Sequence, residues 1–267
     1  AIIDATAENL THEEVVSRIK SIDPRLVLFV VYGQNPNSGT INMVGNSECA
    51  ALLRNTYGNY LIGFVGSHTS ALPMEVLKLN YVDIVLLNEG VYALRNLLAS
   101  DLSDDLGKIK GIGYKIDGKP VLNSPEIVVP NEKMDIDLPG YAWDLLPYRT
   151  KPLDLYRAHF WHTEYKHQNR TPFAALYTSL GCRFKCDFCM INIVNRIDND
   201  QSVASSHSPN MRFWSPEFMI KEFATLADLG VQHIRISDEM FFLNQRYFEP
   251  LLEGIIANDL NLKMWSY

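Results

Sequence analysis

The chain has 267 residues, of which 47% are hydrophobic and 21% are charged, and its formal net charge is −7. This composition excludes a disordered chain and is typical of a globular protein with about two domains. The acidic balance gives no electrostatic reason to expect nucleic acid or an anionic membrane surface as a partner. No apolar run could span a bilayer and no secretory signal opens the chain, so we expect a cytoplasmic protein without membrane contact.

The first elements are a helix and a buried strand. Thr11 and Glu14 have the spacing of a capping box, which predicts a helix from Thr11 to about Ile19. The continuous apolar run at 26–32 predicts a strand buried on both faces. A polar, glycine-containing loop is expected to follow it at 33–40.

Helices and strands then alternate along the chain. We predict a helix at 47–57, a strand at 60–65, a helix at 74–79 and a strand at 83–87. Such alternation predicts a parallel sheet that binds ligands beyond the carboxyl ends of its strands. Three strands end in small polar loops, at 33–40, 66–70 and 88–90. Ordinary turn chemistry explains each loop alone, but their coincidence at one sheet edge favours a ligand site.

Three of the four cysteines lie close together, at Cys182, Cys186 and Cys189, just after an apolar strand predicted at 173–179. Thiolates at this spacing can bind one face of a metal centre, whereas structural zinc and ordinary iron-sulfur clusters require a fourth ligand. The remaining Cys49 is predicted to be a buried, inert thiol in a helix. The group is therefore either a three-cysteine cluster with one open iron or a zinc site completed by a distant histidine or carboxylate.

The rest of the chain predicts strand and helix units. Ser215 and Pro216 have the pattern of a helix start, followed by a strand at 233–237, a helix at 247–258 and a strand at 262–267. Asp238 and Glu239 come at the carboxyl end of the first of these strands, where barrel enzymes place their active sites. Helix capping is the alternative role for these two carboxylates.

The cysteine spacing, with Phe188 directly before the last cysteine, resembles the CxxxCxxC motif of radical S-adenosylmethionine (SAM) enzymes. The resemblance implies that the cysteines hold a 4Fe-4S cluster whose open iron binds SAM, and that Phe188 lies near the adenine. It also implies that the strand end formed by Ser237, Asp238 and Glu239 contacts the amino group of SAM. In this family the cluster passes one electron to SAM, whose carbon-sulfur bond breaks to give methionine and a deoxyadenosyl radical. An electron donor such as flavodoxin or ferredoxin is the expected partner.

The part before residue 149 resembles the cobalamin-binding domain of one branch of these enzymes. The resemblance rests on Ile-Ile-Asp-Ala at 2–5, the Glu13-Glu14 helix, the Gly-Ser-His-Thr-Ser loop at 66–70 and Asn-Glu-Gly at 88–90. It implies that cobalamin contacts come from these positions: Tyr32, Gly33, Ser67, His68, Glu89 and Gly90. The Asp-x-His-x-x-Gly motif of a histidine ligand to cobalt is absent from the sequence, as in the resembling branch.

These observations predict an α/β chain: a Rossmann-like parallel-sheet cobalamin-binding domain at 1–148, an interdomain segment at 149–171, and the first half of a partial (β/α)6 TIM-like radical SAM barrel at 172–267. We expect a fragment of a longer protein. The predicted function is cobalamin-dependent radical SAM chemistry, with methyl transfer to an unactivated carbon or phosphorus. A radical SAM cyclase, a methylthiotransferase-like enzyme without methylcobalamin and a zinc-stabilised binding module remain alternatives, and the substrate is not predicted.

Overall fold

The apolar runs predicted as strands pair into two main sheets and a two-stranded ribbon. The computed structural model describes residues 1–32, 36–102, 105–149, 172–184, 186, 189, 191 and 211–266. Two compact units contain these residues. What we call the five-stranded unit comprises the described residues of Thr11–Pro130 and Gly181–Asn210, and the three-stranded unit comprises those of Ala1–Leu10, Asn131–Leu180 and Met211–Tyr267.

The five-stranded unit is built on a mixed sheet. Its strands, in the order β1-β2-β3-β4-β5, are β1 (Leu26–Val31), β2 (Leu61–Gly66), β3 (Ile84–Leu86), β4 (Ile112–Ile116) and β5 (Lys119–Leu122). The first three strands are parallel, whereas β4 and β5 form an antiparallel hairpin at the edge of the sheet. Asp117 and Gly118 form the tight turn of this hairpin, and both have positive φ angles, as a two-residue loop of this kind requires.

One helix precedes the strands of this unit and four connect them: α2 (His12–Ile22), then α3 (Pro36–Thr56), α4 (Ser67–Ala71), α5 (Pro73–Lys78) and α6 (Val91–Ala99). The capping box of Thr11 and Glu14 is present at the start of α2, which confirms that prediction. The prediction of a loop at 33–40 is wrong from Pro36 onward, because α3 begins at Pro36. The helix predicted at 47–57 therefore starts earlier in the chain than expected. Proline suits the first turn of a helix, where its missing N–H needs no partner.

The core of this unit lies where α6 covers the middle of the sheet. Val65, Ile84 and Leu86 of the strands pack with Ala93 and Leu97 of the helix, and all five are buried. The apolar side chains thereby leave water, which is the main stabilising term of such a core. The carboxyl ends of β1, β2 and β3 are left beside one another at a single edge.

The three-stranded unit holds a parallel sheet, a short ribbon and four helices. Its elements are α1 (Ala5–Glu8), α7 (Met134–Asp137), β6 (Phe173–Leu176), β7 (Ser179–Leu180), β8 (Arg212–Phe213), α8 (Pro216–Asp228), β9 (His233–Ile236), α9 (Gln245–Ala257) and β10 (Lys263–Trp265). The parallel sheet has the order β10-β9-β6, and β7 pairs with β8 antiparallel. The prediction of one continuous strand at 173–179 is wrong, because Tyr177 and Thr178 separate β6 from β7.

Alternate residues of β6 and β9 form the buried face of the parallel sheet. Ala174, Leu176, Ile234 and Ile236 are each no more than 1% exposed. The helices that follow contribute fully buried apolar side chains to the same unit: Met219, Phe223, Leu226 and Leu251. Ser215 caps α8 by accepting a hydrogen bond from the N–H of Phe218, as its position before Pro216 predicts.

The α/β class with mostly parallel strands is confirmed by the two main sheets. Among the helices of the described residues, none has the length and apolar character needed to cross a membrane. The domain boundaries given above stay a prediction.

Gly66 provides a test of the five-stranded unit. Its φ is +145°, and a Cβ atom there would lie 2.1 Å from the carbonyl oxygen of Val31. Gly66→Ala should therefore lower the free energy of unfolding by about 2 kcal/mol or more, measured by urea denaturation with far-ultraviolet circular dichroism.

Gly58→Ala is the matched control, because a Cβ atom at Gly58 has its nearest neighbour, the carbonyl oxygen of Arg54, at 3.9 Å. This variant should remain within about 0.5 kcal/mol of the wild-type stability. Equal stabilities of the two variants would contradict the assignment of Gly66 as a position that tolerates no side chain.

Candidate functional site

The cysteine loop begins directly after β7, at Gly181, whose positive φ of 86° favours glycine. None of the three thiols is in a disulfide: Cys186 is exposed, and Cys182 and Cys189 are half-buried. The N–H of Cys189 donates to the carbonyl oxygen of Cys186 at 3.0 Å, which closes a turn between these two residues. The N–H of Phe184 donates to Sγ of Cys182 at 3.5 Å. Such a bond also stabilises a thiolate ligand and tunes its cluster.

The chemistry of this donor set fits a three-cysteine iron-sulfur cluster. Three thiolates can bind three irons of a cluster and leave the fourth iron open, whereas structural zinc takes four protein ligands. Within the described part of the chain, no three His, Cys, Asp or Glu side chains converge in the arrangement of a metal site. Phe188, the predicted adenine contact, lies outside the described residues.

Cys49 is separate from this donor set. It lies in α3 and is 5% exposed. Burial raises the pKa of its thiol to about 11, so the inert neutral form predominates at neutral pH. The prediction of a buried structural cysteine is confirmed.

The two carboxylates that follow β9, Asp238 and Glu239, lie in different environments: the first is buried and the second is exposed. Asp238 is 1% exposed, and its carboxylate accepts hydrogen bonds from the N–H and hydroxyl of Thr178 at 2.6 and 2.7 Å and from the hydroxyl of Ser179 at 2.6 Å. Burial raises the pKa of Asp238, and these hydrogen bonds oppose that shift. The N–H of Ser237 donates to the carbonyl oxygen of Leu176 at 2.7 Å, which continues the ladder between β9 and β6.

Glu239, by contrast, has an exposed side chain. Partial loss of its hydration and the adjacent negative charge of Asp238 both raise the pKa of its carboxyl group. Neither carboxylate caps a helix here, because Met240 and Asn244 occupy the cap positions of the elements that follow. Of the predicted SAM contacts, Glu239 is thus the carboxylate that remains accessible to a ligand.

In the five-stranded unit, the described residues predicted to contact cobalamin meet at the ends of β1, β2 and β3. Tyr32 follows β1 and donates its hydroxyl to the carbonyl oxygen of Asn88, which follows β3, at 2.8 Å. Nδ1 of His68 in α4 lies 3.3 Å from the hydroxyl of Thr40 in α3. Burial lowers the pKa of His68, which favours its neutral ring. Gly33 lies outside the described residues.

Two predicted cobalamin residues also have structural roles. The carboxylate of Glu89 accepts a hydrogen bond from the N–H of Val129 at 3.1 Å. Gly90 has a φ of +70° at the start of α6, and a Cβ atom there would lie 2.9 Å from the side chain of Val65. The fold alone therefore accounts for glycine at position 90, whereas cobalamin contact by either residue stays a prediction.

Thr69 is a polar residue of this edge that the sequence did not single out. It lies in α4 between Ser67 and Ser70 and is fully buried, and its hydroxyl has no hydrogen-bond partner among the described residues. Leaving a buried hydroxyl unsatisfied costs about 1–3 kcal/mol. A ligand with polar groups at this edge could satisfy it, so the residues present fit a polar cofactor such as cobalamin. The sequence shows the hydroxyl but not its burial.

Comparisons with known proteins agree with this architecture. No protein-family model matches the chain. The uncharacterized methyltransferase PH0819 of Pyrococcus horikoshii is 28% identical over 248 residues, which cover 92% of this chain. The chain spans only 46% of the length of that relative.

Two solved enzymes share the fold. The cobalamin-dependent SAM radical enzyme OxsB, with aqua-cobalamin and SAM bound, matches 95% of this chain and 32% of its own, with a TM-score of 0.61 and 17% identity. The radical SAM methyltransferase TsrM from Kitasatospora setae, with tryptophan substrate and a SAM analogue bound, matches 98% of this chain and 47% of its own, with a TM-score of 0.67 and 15% identity. A second TsrM structure, with cobalamin and a 4Fe-4S cluster bound, has a TM-score of 0.66. The chain therefore has the fold of a portion of these enzymes.

Thiol labelling tests the separation of Cys49 from the cysteine loop. At pH 8 a thiol with a pKa of about 11 is about one-thousandth thiolate, so Cys49 should react with Ellman's reagent only after denaturation. In the metal-free protein, Cys49→Ser should keep the wild-type number of rapidly reacting thiols. Cys186→Ser, which removes the exposed thiol, should have one fewer. A missing fast thiol in Cys49→Ser would refute the assignment.

Proposed function

We propose that this chain is the cofactor-binding part of a cobalamin-dependent radical SAM enzyme that transfers a methyl group to an unactivated carbon or phosphorus. The observation that carries the proposal is the set of three cysteines at CxxxCxxC spacing, none of them in a disulfide, directly after a strand. The shared fold with OxsB and TsrM and the similarity to a methyltransferase support it. Because the chain spans 46% of that relative, the proposal concerns the longer enzyme.

In the proposed enzyme, Cys182, Cys186 and Cys189 would hold a 4Fe-4S cluster and leave one iron open for SAM. When bound, the cluster would supply the electron for cleavage of the carbon-sulfur bond of SAM into methionine and a deoxyadenosyl radical. Ser237 and the accessible carboxylate of Glu239 would bind the amino group of SAM. Asp238, whose carboxylate is engaged inside the protein, would support this strand end.

Cobalamin would bind at the edge formed by the ends of β1, β2 and β3 and supply the transferred methyl group. Tyr32, Ser67 and His68 lie there, as do Glu89 and Gly90, and the unsatisfied hydroxyl of Thr69 supports a polar ligand at this position. The absence of an Asp-x-His-x-x-Gly motif means that His68 would contact the cofactor without ligating cobalt from below.

The finer architecture belongs to the same proposal. Three parallel strands, two of them joined through α9, support a partial (β/α)6 barrel beginning near residue 172. The mixed sheet of the other unit supports a Rossmann-like cobalamin-binding domain. A cytoplasmic location and reduction by flavodoxin or ferredoxin complete the proposal, because an open iron requires a reducing environment.

Anaerobic reconstitution with iron and sulfide tests the cluster. The reduced protein should give an electron paramagnetic resonance signal that changes when SAM is added. Cys186→Ala should lose the iron and the signal, whereas Cys49→Ala should retain both, because Cys49 is buried in α3. Zinc binding without iron or acid-labile sulfide in the wild type would exclude the radical SAM function.

Thr69→Val tests the cobalamin edge. Replacing an unsatisfied buried hydroxyl by a methyl of similar shape should leave the stability of the cofactor-free protein unchanged or raise it by up to about 1 kcal/mol. The same change should weaken binding of hydroxocobalamin by about tenfold, measured by equilibrium dialysis.

Thr56→Val is the control for this experiment, because the exposed Thr56 hydroxyl donates to the carbonyl oxygen of Leu52 within α3 at 2.8 Å. It should leave cobalamin binding unchanged. Equal cobalamin affinities of Thr69→Val and the wild type would remove Thr69 from the site. No retention of cobalamin by the wild type would instead favour an enzyme of the methylthiotransferase-like kind.

A further inference from the structure

The corner between β6 and β7 is held by side chains instead of by sheet pairing. Pairing of β6 with β9 extends to Leu176, and antiparallel pairing of β7 with β8 begins at Ser179. Tyr177 and Thr178 lie between these two ladders. Their backbone N–H and C=O groups need other hydrogen-bond partners, above all those of Thr178, which is fully buried.

Tyr141 satisfies the backbone of the first corner residue. The hydroxyl of Tyr141 accepts a hydrogen bond from the N–H of Tyr177 at 2.8 Å and donates one to its carbonyl oxygen at 3.0 Å. A single side-chain oxygen therefore takes the place of a neighbouring strand at this residue. Tyr141 itself stacks on Trp143, with ring centroids 4.8 Å apart.

Asp238 and Tyr247 satisfy the second corner residue. Asp238 accepts from the N–H of Thr178, and the hydroxyl of Tyr247 donates to the carbonyl oxygen of Thr178 at 2.8 Å. The N–H of Trp214 lies 3.3 Å from the same oxygen. We call Asp238, Tyr141 and Tyr247 the strand-end clamp. All four backbone polar groups of Tyr177 and Thr178 are bonded through it.

The clamp lies immediately before the cysteine loop in the chain. Asp238 also accepts a hydrogen bond from the hydroxyl of Ser179, and Cys182 follows three residues later. Three residues span at most about 10 Å even when fully extended. A shift of the backbone at Tyr177 and Thr178 would therefore also displace Cys182, because so few residues separate them.

We propose that Asp238, with Tyr141 and Tyr247, positions the start of the cysteine loop and so holds Cys182 ready to bind the cluster; this rests on the cluster-binding function proposed above. Asp238 is then a positioning residue that acts through Thr178 and Ser179. Ligands held on a restrained backbone bind without a further cost of ordering, which is the general advantage of preorganised sites.

The first experiment measures the link between the clamp and the loop in the metal-free protein. Iodoacetamide alkylation is followed separately at Cys182 and Cys186 by mass spectrometry. Tyr141→Phe and Asp238→Ala should raise the alkylation rate of half-buried Cys182 by about fivefold, because the corner opens more often. The rate at exposed Cys186 should stay unchanged in the same sample.

Two further variants make this comparison specific. Asp238→Asn retains an acceptor for the N–H of Thr178 and an amide that can donate to the two hydroxyls, so it should fall between the wild type and Asp238→Ala. Tyr148→Phe is the matched control: its buried hydroxyl faces the carbonyl oxygen of Phe173 at 3.5 Å, at the opposite end of β6. It should leave both alkylation rates unchanged. If Asp238→Ala does not fold, Tyr141→Phe, which removes a single oxygen atom, decides the outcome.

The second experiment separates positioning from general stability. In reconstituted protein with full iron content, Tyr141→Phe and Asp238→Asn should raise the SAM concentration for the half-maximal change in the reduced-cluster resonance signal by about tenfold. Tyr148→Phe should leave it at the wild-type value even if its melting temperature falls.

The outcomes are distinct. An unchanged rate at Cys182 in Tyr141→Phe overturns the clamp proposal whether or not a cluster forms. A faster rate with an unchanged SAM titration also overturns it, because the clamp would then only stabilise the fold. A wild-type chain without any reduced-cluster signal overturns the cluster-binding function and with it the positioning role, while the alkylation rates still report the mechanical link.

Discussion

The carboxyl ends of the parallel strands impose the main constraint on this structure, because the backbone groups that leave the ladder there still need hydrogen-bond partners. Side chains supply them in both units. After β3, the N–H of Asn88 bonds the hydroxyl of Ser70, and its carbonyl oxygen bonds Tyr32. After β6, Tyr141 and Asp238 have the same function for Tyr177 and Thr178. The edges proposed to bind cofactors are thus preorganised by the side chains that complete the backbone.

One consequence is that position at a strand end does not by itself identify a ligand contact. The carboxylate of Glu89 accepts a hydrogen bond from the backbone N–H of Val129. The positive φ angle at position 90 favours glycine there. Thr69 is the opposite case: it is buried, and its hydroxyl lacks a partner among the described residues. Because desolvation of a polar group must be compensated, an unsatisfied hydroxyl is more informative about a ligand than a satisfied carboxylate.

The sequence predicted the elements whose signals are local. The capping box of α2, the serine and proline at the start of α8 and the apolar runs of β1, β2 and β9 are each encoded within a few residues. The sequence did not predict the features that depend on contacts between residues distant in the chain. The apolar run at 173–179 reads as one strand, but partners distant in sequence, Tyr141 and Asp238, interrupt it at Tyr177. In the same way, the spacing of the cysteines was visible in the sequence, whereas the hydrogen bonds at the root of their loop were not.

The dipeptide of Asp238 and Glu239 shows how one strand end can have two functions. Both residues follow the end of β9, and the chain enters a turn at Glu239; the carboxylate of Asp238 is buried against Thr178 and Ser179, whereas Glu239 is exposed. Partial loss of hydration and then the negative charge of Asp238 raise the pKa of the Glu239 carboxyl group. A change at Asp238 would therefore alter two properties at once: the rigidity of the backbone that leads to Cys182 and the charge of the carboxylate proposed to bind SAM. Measurements that follow the protein near Cys182 and the SAM titration separately are needed to distinguish these effects, since activity alone would combine them.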